Sequence, residues 1–344
     1  MTLPDQDPPR KHNRWFLYWV WIAFALILFG WSGAWIVLRS QGLAKIDSAA
    51  QSARDAGWHV EWQDRHLVGF PFRLELVLDG LTLNDPSGWG IETPQLRAEA
   101  YAYSPGRAVA YAPNGLTLLR PGKPPMTIGG TALRAGINTT GAGVPNLSVQ
   151  GQTLTFSNPA GATPSTLTRV SKLGIFMRPG PQDQGEVVFQ LDGAVADPNL
   201  WLGRASQGKP VHAVFDGVFN KAYALQGRDW AGMVRAWTAA GGKMAVRKVQ
   251  ITAGDAALNA ANGMLTVGDD GRLRGTLNAE LTRGPRALAA IGGGKDISPT
   301  AADAAAAVAK ARQGDTALAR ADIAFEADQT TLGPVALGPA PRVF

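Results

Sequence analysis

Residues 72–83 read Phe-Arg-Leu-Glu-Leu-Val-Leu-Asp-Gly-Leu-Thr-Leu, and this stretch decides the fold. Phe72, Leu74, Leu76 and Leu78 alternate with Arg73, Glu75, Val77 and Asp79. Successive side chains of a strand point to opposite faces, so a period of two marks a half-buried β-strand. After Gly80 the alternation resumes one step out of register, at Leu81 and Leu83. A glycine at such a slip marks a β-bulge or a break between two strands. The same device recurs where Leu147 and Val149 precede Gly151, and Leu154 and Phe156 follow it.

Further period-two runs lie at Val187, Phe189 and Leu191, at Met244 and Val246, at Leu273, Leu277 and Leu281, and at Ile323, Phe325 and Ala327. The segment 265–273 reads as a hairpin with Asp270-Gly271 at its turn. Two helices interrupt the strands. One runs near Asp229 to Ala240, with Trp230, Met233, Val234 and Trp237 on one stripe and Gly241-Gly242 as its stop. Trp230 and Trp237 are expected to anchor it to the core. The other runs near Pro299 to Gln313, with Ser298 as N-cap.

The pattern predicts roughly ten to fourteen strands joined by Gly/Pro turns. The fold class is mainly β with a few helices (α+β). A long curved antiparallel sheet, or a β-sandwich or groove, carries two or three packed helices. Leu74, Leu76, Val149, Phe189 and Phe325 each sit on the apolar parity of their own strand. They are expected to share one side of that sheet.

Before the strands comes an uncharged run of 24 residues, Trp15 to Leu38. A helix of this length spans roughly 36 Å, against a hydrocarbon core of about 30 Å. Trp15 and Trp19 near one end, and Trp31 and Trp35 near the other, suit the two membrane interfaces. A cleaved signal peptide would have an apolar core of about 7–15 residues and a small-residue cut site, and this run has neither. Arg10, Lys11 and Arg14 stand close before it, whereas Arg39, Lys45 and Arg54 follow more dispersed. That asymmetry favours a cytoplasmic N-terminus and a translocated body. Residues 43–56 read as helical, with Gly57 as a stop. The expected organisation is a cytoplasmic tail (1–14), a transmembrane helix (15–38), a membrane-proximal helix (39–57) and a periplasmic β-rich domain (58–344).

Composition narrows the chemistry. The chain of 344 residues has no cysteine, which excludes disulfides, Cys-ligated zinc, iron–sulfur clusters and a thiol nucleophile. Its formal charge of +6 comes from Lys and Arg residues scattered singly. No nucleic-acid partner is expected, and a mild attraction to anionic lipid explains the balance. Of the four histidines, only His59 and His66 cluster with acids, Glu61 and Asp64. A catalytic zinc needs three converging ligands, and this group reads as a polar hairpin surface. There is no G-x-S-x-G elbow. Lys295 follows three glycines, but Asp296 stands where a phosphate-binding loop needs Ser or Thr. Pro71 suits the start of a strand, so Gly69-Phe70-Pro71 reads as structural. The expectation is a protein with no catalytic residue, no metal and no cofactor.

Several turn and strand motifs carry a resemblance. These are Gly69-Phe-Pro-Phe-Arg-Leu-Glu-Leu76, Leu83-Asn-Asp-Pro-Ser-Gly-Trp89, Thr93-Pro-Gln-Leu96, Tyr103-Ser-Pro105 and the closing segment 332–341. Trp237 with Gly241-Gly242, and Ala261-Asn-Gly263 with the Asp270-Gly271 turn, belong to the same set. Together they resemble the uncharacterised envelope family called domain of unknown function 2125. That family looks distantly like AsmA-type periplasmic proteins, which have an inner-membrane anchor and long sheets with an apolar concave face. The resemblance implies an inner-membrane protein whose β-domain binds or shelters an apolar ligand such as lipid. The other reading is an assembly partner of envelope proteins with no small ligand, and the residues leave both open.

Overall fold

The structure is a computed structural model, and it describes residues 15–344 apart from 102–103, 131–132, 140–143, 283–317, 327 and 334. Arg10, Lys11, Arg14 and the helix expected at 299–313 lie outside the described residues. Helix α1 (Trp15–Asp55) is one unbroken rod, so the apolar run and the helical stretch after it are continuous. At 1.5 Å per residue it is about 60 Å long. It is long and apolar enough to cross a membrane, and its apolar surface is not buried against the rest of the chain.

The strands β1 (His59–Glu61) and β2 (Asp64–Val68) lie end to end along β3 (Arg73–Asn84), which pairs on its other side with β4 (Gly90–Tyr101). Beyond β4 the sheet splits in two. One ribbon is β5 (Ser104–Tyr111); the other is β6 (Leu116–Arg120) with β7 (Lys123–Gly129). The first is completed by β8 (Arg134–Asn138), and β9 (Asn146–Ser157) closes the split by pairing with β7 and β8 together. A plain antiparallel meander follows through β10 (Leu167–Pro179), β11 (Gly185–Ala196), β12 (Val211–Phe219), β13 (Met244–Ala253) and β14 (Ala256–Val267). It ends in β15 (Leu273–Thr282), β16 (Leu318–Glu326), β17 (Gln329–Leu332) and β18 (Val335–Pro339). All 18 described strands belong to one sheet. The sequence count of ten to fourteen falls short because β1, β2 and β5–β8 are short, and several contain Pro or Gly within the strand.

Two short helices sit at opposite strand ends. Helix α2 (Trp201–Ser206) lies between β11 and β12, and α3 (Trp230–Ala239) between β12 and β13. Asp229 caps α3 by accepting a hydrogen bond from the Gly232 amide at 2.6 Å. That satisfies one of the orphan amides every helix start leaves. The chain leaves α3 through Gly241, at φ +78°.

The register slips seen in the sequence form a seam. In β3, Gly80 adopts φ +59°, yet Asp79 and Leu81 keep one register with Gln95 and Thr93. Gly80 therefore turns the strand over without a bulge in that ladder. In β9 the turnover falls on Thr153, at φ +50°, and not on Gly151. Gly151 is needed for a different reason: a Cβ there would lie 2.5 Å from the Leu154 side chain. In β11 it falls on Gly193, at φ +59°, and there a true bulge between Leu191 and Ala194 absorbs it against β12. Each turnover moves the next apolar residue back to the face its predecessors occupy. Leu78 and Leu81, Leu191 and Ala194 are all buried. The hairpin at 268–272 turns through Gly271, at φ +77°.

Candidate functional site: an apolar groove

One face of the sheet carries an uninterrupted apolar row. Leu76 pairs with Ala98, Ala98 with Ala110, Ala110 with Ala135, and Ala135 with Val149. Val149 then pairs with Ile175, Ile175 with Phe189, and Phe189 with Phe215. The row continues through Val249, Ala260 and Ala279. With strands about 4.8 Å apart, its path along the sheet is roughly 50 Å. Leu76, Val149 and Phe189 thus stand in one row, and Leu74 stands two residues along β3 on the same face. Phe325 lies on that face in β16, buried in a cluster with Val246, Ala260, Leu277 and Ala279.

Both ends of the strands are walled. Near α2, Leu154, Val170, Ala194 and Val211 form a closed cluster, and Leu202 of the helix packs on it. Near α3, Phe219, Val234, Trp237 and Val267 form another. Between the walls the floor stays partly open: Ile175 is 39% exposed and Ile137 40%. Trp58, just before β1, donates its indole N–H to the Arg228 carbonyl at 2.7 Å. That contact brings the first strands round to the loop before α3, so the sheet curls.

Under α3 lies a cavity of about 230 Å³, lined by Met177, Phe219, Trp230, Trp237, Met244 and Leu265 among others. Trp237 is buried and donates to the Asn220 carbonyl at 2.7 Å. Trp230 is 42% exposed and donates to the Val343 carbonyl, also at 2.7 Å. The two tryptophans wall the same cavity, one from inside and one at its rim. Thr266, also in the lining, donates to the Gly242 carbonyl at 3.1 Å.

The opposite face is largely polar, though Val77 and Val109 also lie on it. Arg97 pairs with Glu75 at 3.2 Å, Arg247 with Glu186 at 2.6 Å and Arg320 with Glu280 at 3.0 Å. Tyr111 donates to Glu99 at 3.0 Å. Burial first, and that carboxylate second, hold the Tyr111 phenol above its ordinary value of 10. Glu99, Arg73 and Arg107 line a cleft of about 690 Å³ at the end of β3–β5, with Arg73 and Glu99 3.6 Å apart.

The histidine–acid group divides. His59 and Glu61 pair on β1 at 3.6 Å. Asp64 and His66 on β2 come together with Asp79, a residue the sequence pattern did not single out. Asp79 already accepts a hydrogen bond from Gln95 at 2.8 Å, and His66 and Asp64 are open to water. Exposed polar groups of this kind are ordinary surface.

Of the tryptophans in α1, Trp15 and Trp19 are exposed, with rings 6.1 Å apart. Trp31 and Trp35 face the β2–β3 turn. That meeting spans 40 positions of sequence, and no local pattern announces it.

A family model described as an uncharacterized protein conserved in bacteria (DUF2125) matches residues 35–341. No curated protein and no solved structure matches the chain.

Proposed function

The chain belongs to the bacterial family DUF2125, and on that premise we propose that it is a noncatalytic, single-pass inner-membrane protein whose periplasmic sheet shelters lipid chains in an apolar groove. One observation carries this reading: the row from Leu76 to Ala279 is apolar at every position, yet Ile175 in its middle stays 39% exposed. Soluble surfaces rarely keep a contiguous apolar stripe open to water, and one that persists marks a site for an apolar partner. The cavity under α3 is somewhat smaller than the roughly 300–1,000 Å³ of whole-ligand pockets. It suits the end of an acyl chain whose remainder lies along the floor. The described lining of floor and cavity is almost wholly apolar, which suits an apolar ligand. Shelter of lipid along a curved sheet is also what the AsmA-type resemblance implies.

The orientation rests on Arg10, Lys11 and Arg14 close before the helix. Alkaline phosphatase fused after Phe344 is expected to be active, and an inactive fusion beside an active cytoplasmic reporter reverses the topology. The decisive test is native mass spectrometry of the full chain extracted in mild detergent. Phospholipid-sized mass increments are expected. Their absence across several detergents and lipid supplements refutes the groove and leaves the assembly-partner reading.

A further inference from the structure

We infer that the turn between β2 and β3, with Phe70 and Phe72 at its tip, is a second membrane-contact site seated in the outer edge of the bilayer. The inference rests on the reading of α1 as the membrane-spanning helix. Phe70 is 47% exposed and Phe72 63%, although large aromatic side chains bury most area when they pack. Their contacts are with the helix. The rings of Phe72 and Trp31 lie 6.1 Å apart, and those of Phe70 and Trp35 lie 5.6 Å apart.

Strand β2 descends alongside α1 in a matched sequence of contacts. Arg65 pairs with Asp47, Arg39 donates to the Leu67 carbonyl at 3.0 Å, and Trp31 donates to the Pro71 carbonyl at 3.0 Å. The turn therefore reaches well below Leu38, the last residue of the uncharged run. Centring a 30 Å hydrocarbon layer on that run puts Trp35 near its boundary and Trp31 about 8 Å inside it. The tip is carried to the depth of interfacial insertion, roughly 5–10 Å.

Backbone chemistry fits that depth, where an unpaired polar group is costly. Pro71 has no N–H to satisfy, and its carbonyl takes the Trp31 indole. The Gly69 carbonyl takes the Arg73 amide at 2.9 Å. Arg73 follows the tip directly; its side chain is 60% exposed and lies 3.6 Å from Glu99, so the pair holds the charge at the upper side of the turn, toward the lipid headgroups. A protein partner would equally cover two phenylalanines, but these are held beside the apolar helix itself, so whatever surrounds the helix surrounds them.

The test uses the full chain in vesicles of phosphatidylethanolamine and phosphatidylglycerol. Because the protein has no cysteine, single positions take an environment-sensitive fluorophore: Phe72→Cys at the tip, Leu26→Cys in the helix centre and Lys123→Cys at the start of β7, at the other end of the strands. Lipids with a nitroxide at carbon 5 or carbon 12 of the acyl chain then report depth. The Phe72 position is expected to be quenched about twofold or more by the shallow nitroxide, Leu26 by the deep one and Lys123 by neither. Phe70→Cys is read the same way should Phe72→Cys fail to fold. If Leu26 is quenched while the tip behaves like Lys123, the inference is overturned and the spanning helix stands. If Leu26 is also unquenched, the spanning reading falls and the inference with it.

Discussion

Trp58 donates its indole N–H to the main-chain carbonyl of Arg228 across 170 positions of sequence, at 2.7 Å. It joins the edge of the sheet beside α1 to the loop that starts α3, and so links the two ends of the curl. A neutral hydrogen bond contributes about 0.5–1.5 kcal/mol net. Trp58→Phe keeps most of the ring and removes the donor. It is expected to lower Tm by about 2 °C, with a clear increase in hydrogen exchange at residues 226–229. Unchanged exchange in that loop would show that the contact does not hold the curl.

The seam makes opposite claims about two positions. Gly80 and Thr153 both stand in the left-handed region, at φ +59° and +50°. A Cβ on Gly80 would lie 2.6 Å from Gln63, so Gly80→Ala meets both strain and contact. It is expected to cost about 1–3 kcal/mol. Thr153 is β-branched, the least suited type for this conformation, whereas Asn tolerates it. Thr153→Asn is expected to stabilise by about 0.5–1 kcal/mol. Chemical denaturation of both variants checks the pair. Destabilisation by Thr153→Asn would mean that the turnover depends on the threonine side chain and not on backbone freedom.

How far the sequence reaches is visible at the same seam. Alternation gives parity, and parity shows that the strand crosses over between Val149 and Leu154. It cannot say that Thr153 carries the turn, because glycine at 151 is the stronger local signal and its role is to admit the Leu154 side chain. Helix α3 was legible from its stripe and glycine stop. The split ribbons were not: β5 holds Pro105 and Gly106, β7 holds Pro124 and Pro125, and the short β8 leaves a weak pattern. The meeting of Phe70 and Phe72 with Trp35 and Trp31 is tertiary, and only the folded chain brings the two segments together. Asp79 joined Asp64 and His66 for the same reason, since it faces them from the neighbouring strand.

The 268–272 turn gives a pH dependence. The Arg272 amide donates to Asp270 at 3.2 Å, and this contact is the main reason the carboxyl is held below its ordinary 3.8. The Arg274 guanidinium, 3.6 Å away, works in the same direction. A carboxyl depressed in the folded state stabilises above its unfolded value and loses that contribution as pH falls through the folded one. Asp270→Asn is therefore expected to lower Tm at pH 7 and to match the parent once pH drops below the depressed value. Melting curves from pH 7 down to 2 check this. A gap that persists undiminished at pH 2 would assign the loss to something other than ionisation.

The floor of the groove separates binding from folding. Ile175 and Val170 lie on the same strand, β10, but Ile175 is 39% exposed and Val170 wholly buried. Fully burying such a side chain contributes roughly 1.5–3 kcal/mol, and an unpaired buried carboxylate costs more again. Val170→Asp is thus expected to prevent folding. Ile175→Asp keeps its charge in water and is expected to cost less than about 1.5 kcal/mol, since only part of the side chain was buried. Phe189, paired with Ile175 and partly buried, should fall between them. If lipid lies along this row, a carboxylate at Ile175 sits against acyl chain, and co-purified phospholipid should fall several-fold while Tm barely moves. Measured together, Tm and bound lipid distinguish the cases. A large stability loss at Ile175 would mean the floor is closed by protein. Intact stability with undiminished lipid would mean the lipid lies elsewhere, and the groove would not be its site.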